Sequence, residues 1–244
     1  MRILIAADVH ANLAAFEAVL RHAERSGAID RLWSPGDIVG YGPDPSACIA
    51  LVRNHPHLAV AGNHDFAAAA KIATSDFNAA AAEAAAWTAR RLDYEERQYL
   101  EQLPEVAYEG DFTLVHGSLR APLWEYVLTM PAMEAQFRLM ETPYSIIGHS
   151  HVAFLAEEGN DGKVWMSSWQ DGETVNLPQS RLIINPGGVG QPRDGDPRAA
   201  YALYDSDAHT LTLHRVDYDI AATQQKIRAA GLPASLAERL TYGQ

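Results

Sequence analysis

The residues most able to do chemistry gather in five short segments: Asp8-Val9-His10, Gly36-Asp37, Gly62-Asn63-His64-Asp65, His116-Gly117 and Gly148-His149-Ser150-His151. They offer a cation oxygen and nitrogen donors, with no thiolate among them. Such a set suits Mn, Fe, Zn or Ni and disfavours a structural zinc site built on cysteine. Asp8 and His10 lie two residues apart, as do His149 and His151, so on an extended backbone each pair faces one direction. Gly36, Gly62, Gly117 and Gly148 permit tight turns and close backbone approach. Taken singly, each His or Asp reads more simply as a cap or a hydrogen-bonded turn residue. Their recurrence in five segments favours a metal site.

The elements that must position these groups can be read from the pattern. Apolar strands are predicted over residues 2–7, 31–34, 58–61, 113–116 and 144–148, and each leads into one of the five segments. Asn12 caps a helix whose apolar face is Leu13, Phe16, Val19, Leu20 and Ala23, and Asp44-Pro45 opens a second helix. The opening is therefore βαβαβ, which implies a parallel sheet. In an open α/β sheet, groups just past the strand carboxyl ends face the ligand crevice. Residues 66–103 turn helical, with helices over 78–92 and 94–103, and a further helix is predicted over 131–140. After His151, short strands separated by turn residues suggest antiparallel pairing, and two helices close the chain. No linker or repeat interrupts this order, so residues 1–244 read as one domain carrying a helical insertion at 66–103.

Composition narrows the class. The chain has 244 residues, 48% of them hydrophobic and 20% charged, as expected for a soluble globular protein. No apolar run approaches a membrane span, and the first residues read as a strand rather than a signal peptide. Cys48 is the sole cysteine and lies in a helical pattern, so it reads as core filler, and a cytoplasmic setting is expected. A formal charge of −12 argues against non-specific nucleic-acid binding. It leaves an anionic substrate open, because bound cations reverse the local field.

The ordered set Asp-x-His, Gly-Asp, Gly-Asn-His-Asp, His-Gly and Gly-His-x-His resembles the calcineurin-like metallophosphoesterase superfamily. Residues 8–13, 36–43, His116-Gly117-Ser118, 123–126, 185–187 and 191–193 are similar to a branch of small bacterial and archaeal phosphoesterases. The resemblance spans residues 2 to about 205. Ala11, Pro35 and Gly188 depart from the residues commonest there, and none of the three removes a ligand.

That resemblance implies an α/β fold, a four-layer α/β/β/α sandwich of two mixed sheets, and two divalent metal ions. Asp8, His10 and His151 would hold one ion and Asn63, His116 and His149 the other, with Asp37 bridging. His64 corresponds to the histidine that protonates the leaving oxygen, and Asp65 is placed to orient it. The reaction implied is in-line attack of a metal-bridging hydroxide on a phosphate ester or nucleotide phosphoanhydride. Dinucleoside polyphosphates are one candidate substrate, and simple diesters another. Arg193, and less so Arg120 and Arg198, could supply bidentate phosphate contacts. Trp124 and Tyr126 could stack on a base, although core packing is the commoner fate of such residues. A small phosphorylated substrate is the expected partner, and the apolar insertion makes a homodimer plausible. The rival class is a non-catalytic metal-binding scaffold acting through protein contacts, against which an intact ligand set and the presence of His64 both weigh.

Overall fold

Along β1 (Arg2–Ile5) the side chains alternate between two buried environments in the computed structural model, which describes residues 1–244. Ile3 and Ile5 point into a cluster shared with Phe112, Leu114, Ile146, Leu182 and Ile184. Leu4 and Ala6 point the other way, onto Phe16, Val19 and Ile49. A strand covered on both faces can be apolar throughout, which explains the unbroken run at the chain start.

The first sheet begins with β1, α1 (Leu13–Glu24), β2 (Arg31–Ser34), α2 (Pro45–Arg53) and β3 (His57–Ala59). β1 pairs with β2, and β2 with β3, in parallel, as the alternation predicts. Asn12 caps α1 by accepting from the Ala15 N–H at 3.3 Å, and Pro45 sits in the first turn of α2. The helical stretch comprises α3 (Asn63–Ala68), α4 (Ala79–Arg91) and α5 (Tyr94–Gln102). Asp93 and Glu96 form a reciprocal capping box at the start of α5.

Next come β4 (Val106–Glu109), β5 (Phe112–Val115), α6 (Met130–Leu139), β6 (Tyr144–Ile146), β7 (Ala153–Glu158) and β8 (Val164–Ser168). The chain finishes with β9 (Thr174–Asn176), β10 (Arg181–Pro186), β11 (Ala199–Asp205), β12 (Thr210–Val216), α7 (Ile220–Ala229) and α8 (Ala234–Glu238). Two six-stranded mixed sheets result, ordered β3-β2-β1-β11-β12-β9 and β4-β5-β6-β10-β7-β8. Their facing surfaces share one apolar cluster. A second cluster joins the outer face of the first sheet to α1 and α2, and a third joins the outer face of the second sheet to α6 through Met133 and Phe137. This is the four-layer α/β/β/α sandwich. No helix is long and apolar enough to cross a membrane.

Two details differ from the sequence expectation. β4 and β9 are short edge strands whose polar, partly exposed residues show little apolar alternation. The later strands pair mostly antiparallel, as expected, but they divide between the two sheets: β11 pairs with β12 and also with distant β1, while β10 joins β6 in parallel. Pairing over such separations is decided by which apolar face finds which partner, not by local pattern.

The topology directs β1, β2 and β3 of one sheet, and β5 and β6 of the other, so that their carboxyl ends open on one rim. Trp33, on β2, anchors the layer below that rim. It is 2% exposed and packs against Phe112 and Tyr204, with ring centroids 5.0 and 6.1 Å away. Replacing it by alanine leaves a void between two sheets that cannot collapse separately. Trp33→Ala is expected to lose about 3–5 kcal/mol in urea unfolding; a loss below about 1 kcal/mol would show that the inter-sheet layer does not limit stability.

Candidate metal centre

Each segment beyond a strand end is held by backbone hydrogen bonds to its neighbour. The Asp8, His10 and Ala11 N–H groups donate to Gly36, Asp37 and Ile38 carbonyls at 2.9–3.1 Å, and Val189 and Gly190 donate to Ala7 and Asp8 at 2.9 Å. These bonds pull the chain out of the extended form. Asp8, His10, Asp37, His149 and His151 all have positive φ, between 49° and 64°. The two-residue spacings therefore converge by way of left-handed residues, which corrects the expectation of an extended backbone. Asp and His tolerate this region better than most, yet each instance costs of order 1–3 kcal/mol.

The side chains meet in two groups. His10 Nε2 lies 3.1 Å from His151 Nε2, and His151 Nε2 lies 3.3 Å from Asp8 Oδ1. His116 Nε2 lies 3.0 Å from His149 Nδ1 and 3.2 Å from Asn63 Oδ1. Asp37 Oδ2 stands between the groups, 3.5 Å from His10 Nε2 and 3.3 Å from His116 Nε2. All seven residues are buried, none more than 6% exposed.

The outer ring nitrogens decide what the inner ones can do. His10 Nδ1 donates to the Val39 carbonyl at 3.2 Å, His116 Nδ1 to Pro35 at 2.9 Å, and His151 Nδ1 to Gln191 at 2.5 Å. His149 is reversed: its Nε2 donates to the Trp124 carbonyl at 3.2 Å, so its Nδ1 faces inward. With a neutral ring so oriented, the inner nitrogen is a bare acceptor. Two such acceptors about 3 Å apart, next to carboxylate oxygens, repel unless a cation lies between them. The carboxylates are held too. Asp8 Oδ1 accepts from the His149 N–H at 3.1 Å and Asp37 Oδ1 from the His64 N–H at 2.9 Å. Asp8 Oδ2 is buried with no partner at all. The donor set, its orientation and this orphaned oxygen fit divalent cations.

Burial lowers His10 and His151 below the usual imidazole range and His149 to about 3, so these rings are neutral at pH 7. Burial acts the same way on His116, but the adjacent Asp37 carboxylate outweighs it and raises that ring to about 9. A cation binding there competes with a proton.

His64 follows Asn63 at the start of α3 and stands edge to face with His10 at 5.0 Å. Burial lowers it to about 4, and its Nδ1 is buried without a partner. Asp65 does not orient it, contrary to expectation. Its oxygens accept from the Gly62 and Val39 N–H groups, both at 3.0 Å, so it staples the loop after β2 to the start of α3. Burial and the nearby Asp37 carboxylate push Asp65 up to about 7, despite those two donors.

A cleft of about 250 Å³ opens onto the metal-facing residues and is also lined by Tyr41, Asp76, Phe77, Trp124, Tyr126 and Arg193. Arg193 donates to the Gln191 side chain at 3.1 Å and keeps a buried Nε without a partner. Arg120 lies outside, pairing with Glu125, and Arg198 is spent on Asp196 and Asp171. Trp124 and Tyr126 do not pack in the core: they are 36% and 49% exposed. Phe77 and Asp76 escaped the sequence reading because nothing in the alanine-rich insertion marks them as facing a cleft.

Residues 1–209 match the family model of the calcineurin-like phosphoesterase superfamily domain. This chain belongs to the calcineurin-like phosphoesterases. Among solved structures, a metallophosphoesterase from Sphaerobacter thermophilus is 47% identical, with a TM-score of 0.90 over 100% of this chain and 99% of that one. The protein MJ0912 of Methanocaldococcus jannaschii is 34% identical over 252 aligned positions, covering 99% of this chain and 98% of its own. The protein PH1004 from Pyrococcus horikoshii, 20% identical, shares the fold with a TM-score of 0.82 over 100% of this chain and 98% of that one.

In this calcineurin-like phosphoesterase one glycine is forced by contact. A Cβ on Gly62 would lie 2.0 Å from Asp37 Oδ1 and 2.4 Å from its backbone nitrogen. Neither atom can yield without moving the central carboxylate. Gly62→Ala is expected to fold but to purify with less than half the metal of the parent by elemental analysis; full metal content would show that Asp37 has more room than the geometry allows.

Proposed function

We propose that this chain is a dinuclear metal-dependent phosphoesterase, hydrolysing a phosphate ester or nucleotide phosphoanhydride by in-line attack. One observation carries the reading: Asp37 Oδ2 sits between two sets of buried metal-capable groups, and the outer nitrogen of every histidine among them is fixed on a backbone carbonyl. Asp8, His10 and His151 would hold one cation and Asn63, His116 and His149 the other, with Asp37 shared. The N/O donors suit Mn, Fe, Zn or Ni. A bound pair of such ions supplies an activated water and neutralises charge on the phosphoryl oxygens.

The remaining work falls to side chains. His64 lines the cleft beside the metal-facing residues. Burial keeps its ring neutral in the free site, an anionic phosphoryl group beside it favours the imidazolium, and that form would give a proton to the departing oxygen. Tyr41 and Phe77 confine the ring, with centroids 4.3 and 4.8 Å away, which fixes the direction of donation without a carboxylate behind it. Arg193 is the only cationic side chain lining the cleft and is placed to hold a non-bridging phosphate oxygen.

The deciding experiment measures metal content of protein purified without chelator, together with hydrolysis of bis-p-nitrophenyl phosphate before and after Mn²⁺ addition. Near two ions per chain and metal-dependent turnover are expected. One ion per chain, or two with no turnover of any phosphate ester, would overturn the dinuclear hydrolase and leave a metal-binding scaffold. In the same assay His64→Ala is expected to keep its metal and lose about 10²–10⁴-fold in kcat on a substrate with a poor leaving group. Unchanged turnover on that substrate would remove His64 from proton transfer.

A further inference from the structure

The cleft carries more aromatic surface than metal binding requires. Phe77 meets His64 edge to face at 4.8 Å and Trp124 edge to face at 5.3 Å. Tyr126 stacks on His149 at 4.2 Å with 13° between the planes. These residues come from two distant segments, the turn before α4 and the loop between β5 and α6, and they converge only at the cleft. Trp124 and Tyr126 nevertheless remain 36% and 49% exposed. The position of Trp124 is not incidental, because its carbonyl accepts from His149 and ties the aromatic wall to the metal rim.

We propose, resting on the phosphoesterase reading above, that Phe77 and Trp124 form a slot for the base of a nucleoside leaving group. The substrate is then a nucleoside phosphate ester whose leaving group carries no further phosphate. The slot adjoins His64, which in that reading serves the departing oxygen, so the group it contacts is the one that leaves. The partly exposed indole of Trp124, with the phenyl ring of Phe77 perpendicular to it, offers a base stacking area without demanding one hydrogen-bonding pattern. The charges of the cleft are divided. Arg193 lies with Tyr41 and Gln191, where a phosphate can be held, whereas exposed Asp76 immediately precedes Phe77 on the slot side. A carboxylate there repels further phosphates on the leaving group and can accept from an exocyclic amine. A cleft of about 250 Å³ lies just below the usual range for small-molecule sites, which favours a mononucleotide over a dinucleotide. The reaction is hydrolysis: a water oxygen bonds to phosphorus, the phosphorus–oxygen bond to the nucleoside breaks, and that oxygen leaves with a proton from His64. The proton lost by the attacking water passes to solvent, from which His64 is reprotonated.

The test compares substrates that differ only in the base. AMP is set against ribose 5-phosphate, and the methyl diester of AMP against the methyl diester of ribose 5-phosphate, with Mn²⁺-loaded full-length protein. Binding of adenosine and of ribose to the same protein is measured by calorimetry, independently of turnover. The base is expected to raise kcat/KM about 5- to 150-fold in the pair that is hydrolysed. Phe77→Ala and Trp124→Ala should bring that ratio close to one and abolish adenosine binding, while Trp124→Phe should restore most of both. Turnover of ribose 5-phosphate or its diester as fast as the base-bearing partner would overturn the slot and leave the phosphoesterase standing. Adenosine binding lost in the two alanine variants, with no ester hydrolysed, would keep the slot and sink the hydrolase. Neither binding nor turnover would remove both. Diadenosine tetraphosphate serves as the charged control, and if it were the best substrate the claim of an uncharged leaving group would fall.

Discussion

Buried acceptors that face one another across about 3 Å set the terms for the rest of this molecule. His10 Nε2 and His151 Nε2 approach within 3.1 Å, and His116 Nε2 and His149 Nδ1 within 3.0 Å, each ring turned so that its other nitrogen donates to a backbone carbonyl. Without a cation, repulsion and the loss of water would drive these groups apart. Holding them together requires a fixed carbonyl behind each ring. Val39 and Pro35, Gln191, and Trp124 supply those carbonyls from three different loops. The loops are thus part of the donor set, and their backbone paths are as constrained as the imidazoles.

That constraint explains the backbone. Left-handed conformations at Asp8, His10, Asp37, His149 and His151 are unfavourable for side-chain-bearing residues, and here they cluster within one site. The same loops close by hydrogen bonds between neighbouring segments and by Asp65, whose carboxylate joins the Gly62 and Val39 N–H groups. Asn185 adds a clamp from the end of β10, donating to the Gly148 carbonyl and to Ser150. Beneath them two sheets share a single apolar layer around Trp33, and helices cover both outer faces. A rigid, twice-covered sheet pair can support strained loops at its rim that an isolated sheet could not.

The helical insertion takes on a role in this setting. It joins the core on the outer face of the first sheet through Phe66, Leu92, Leu100 and Leu103, and the turn before α4 places Asp76 and Phe77 beside Trp124. The cleft acquires an aromatic wall on one side and a lone arginine on the other. His64, between Tyr41 and Phe77, lies where the two halves meet.

How much of this could be read without coordinates depends on the range of the interaction. The five segments, the βαβαβ opening, the caps at Asn12 and Pro45, and the glycine beside Asp37 follow from residue type and short spacing, because local sterics and capping act over a few positions. The family pattern in those segments also orders the donors. The edge strands β4 and β9 were not legible, since polar, half-exposed strands lack an apolar period. Nor was the pairing of β11 with β1, which depends on how two distant apolar faces pack. Asp65 sits next to His64 in sequence, yet the turn of α3 aims its carboxylate at backbone donors instead. Trp124 and Tyr126 resemble core residues by composition, and only the approach of Phe77 from a segment some fifty positions away turns them into a cleft wall. Sequence alone determined which chemical groups this protein carries and the strands they follow. Tertiary structure decided which of them meet, because left-handed turns, outward-facing protons and contacts between distant loops exist only once both sheets are packed.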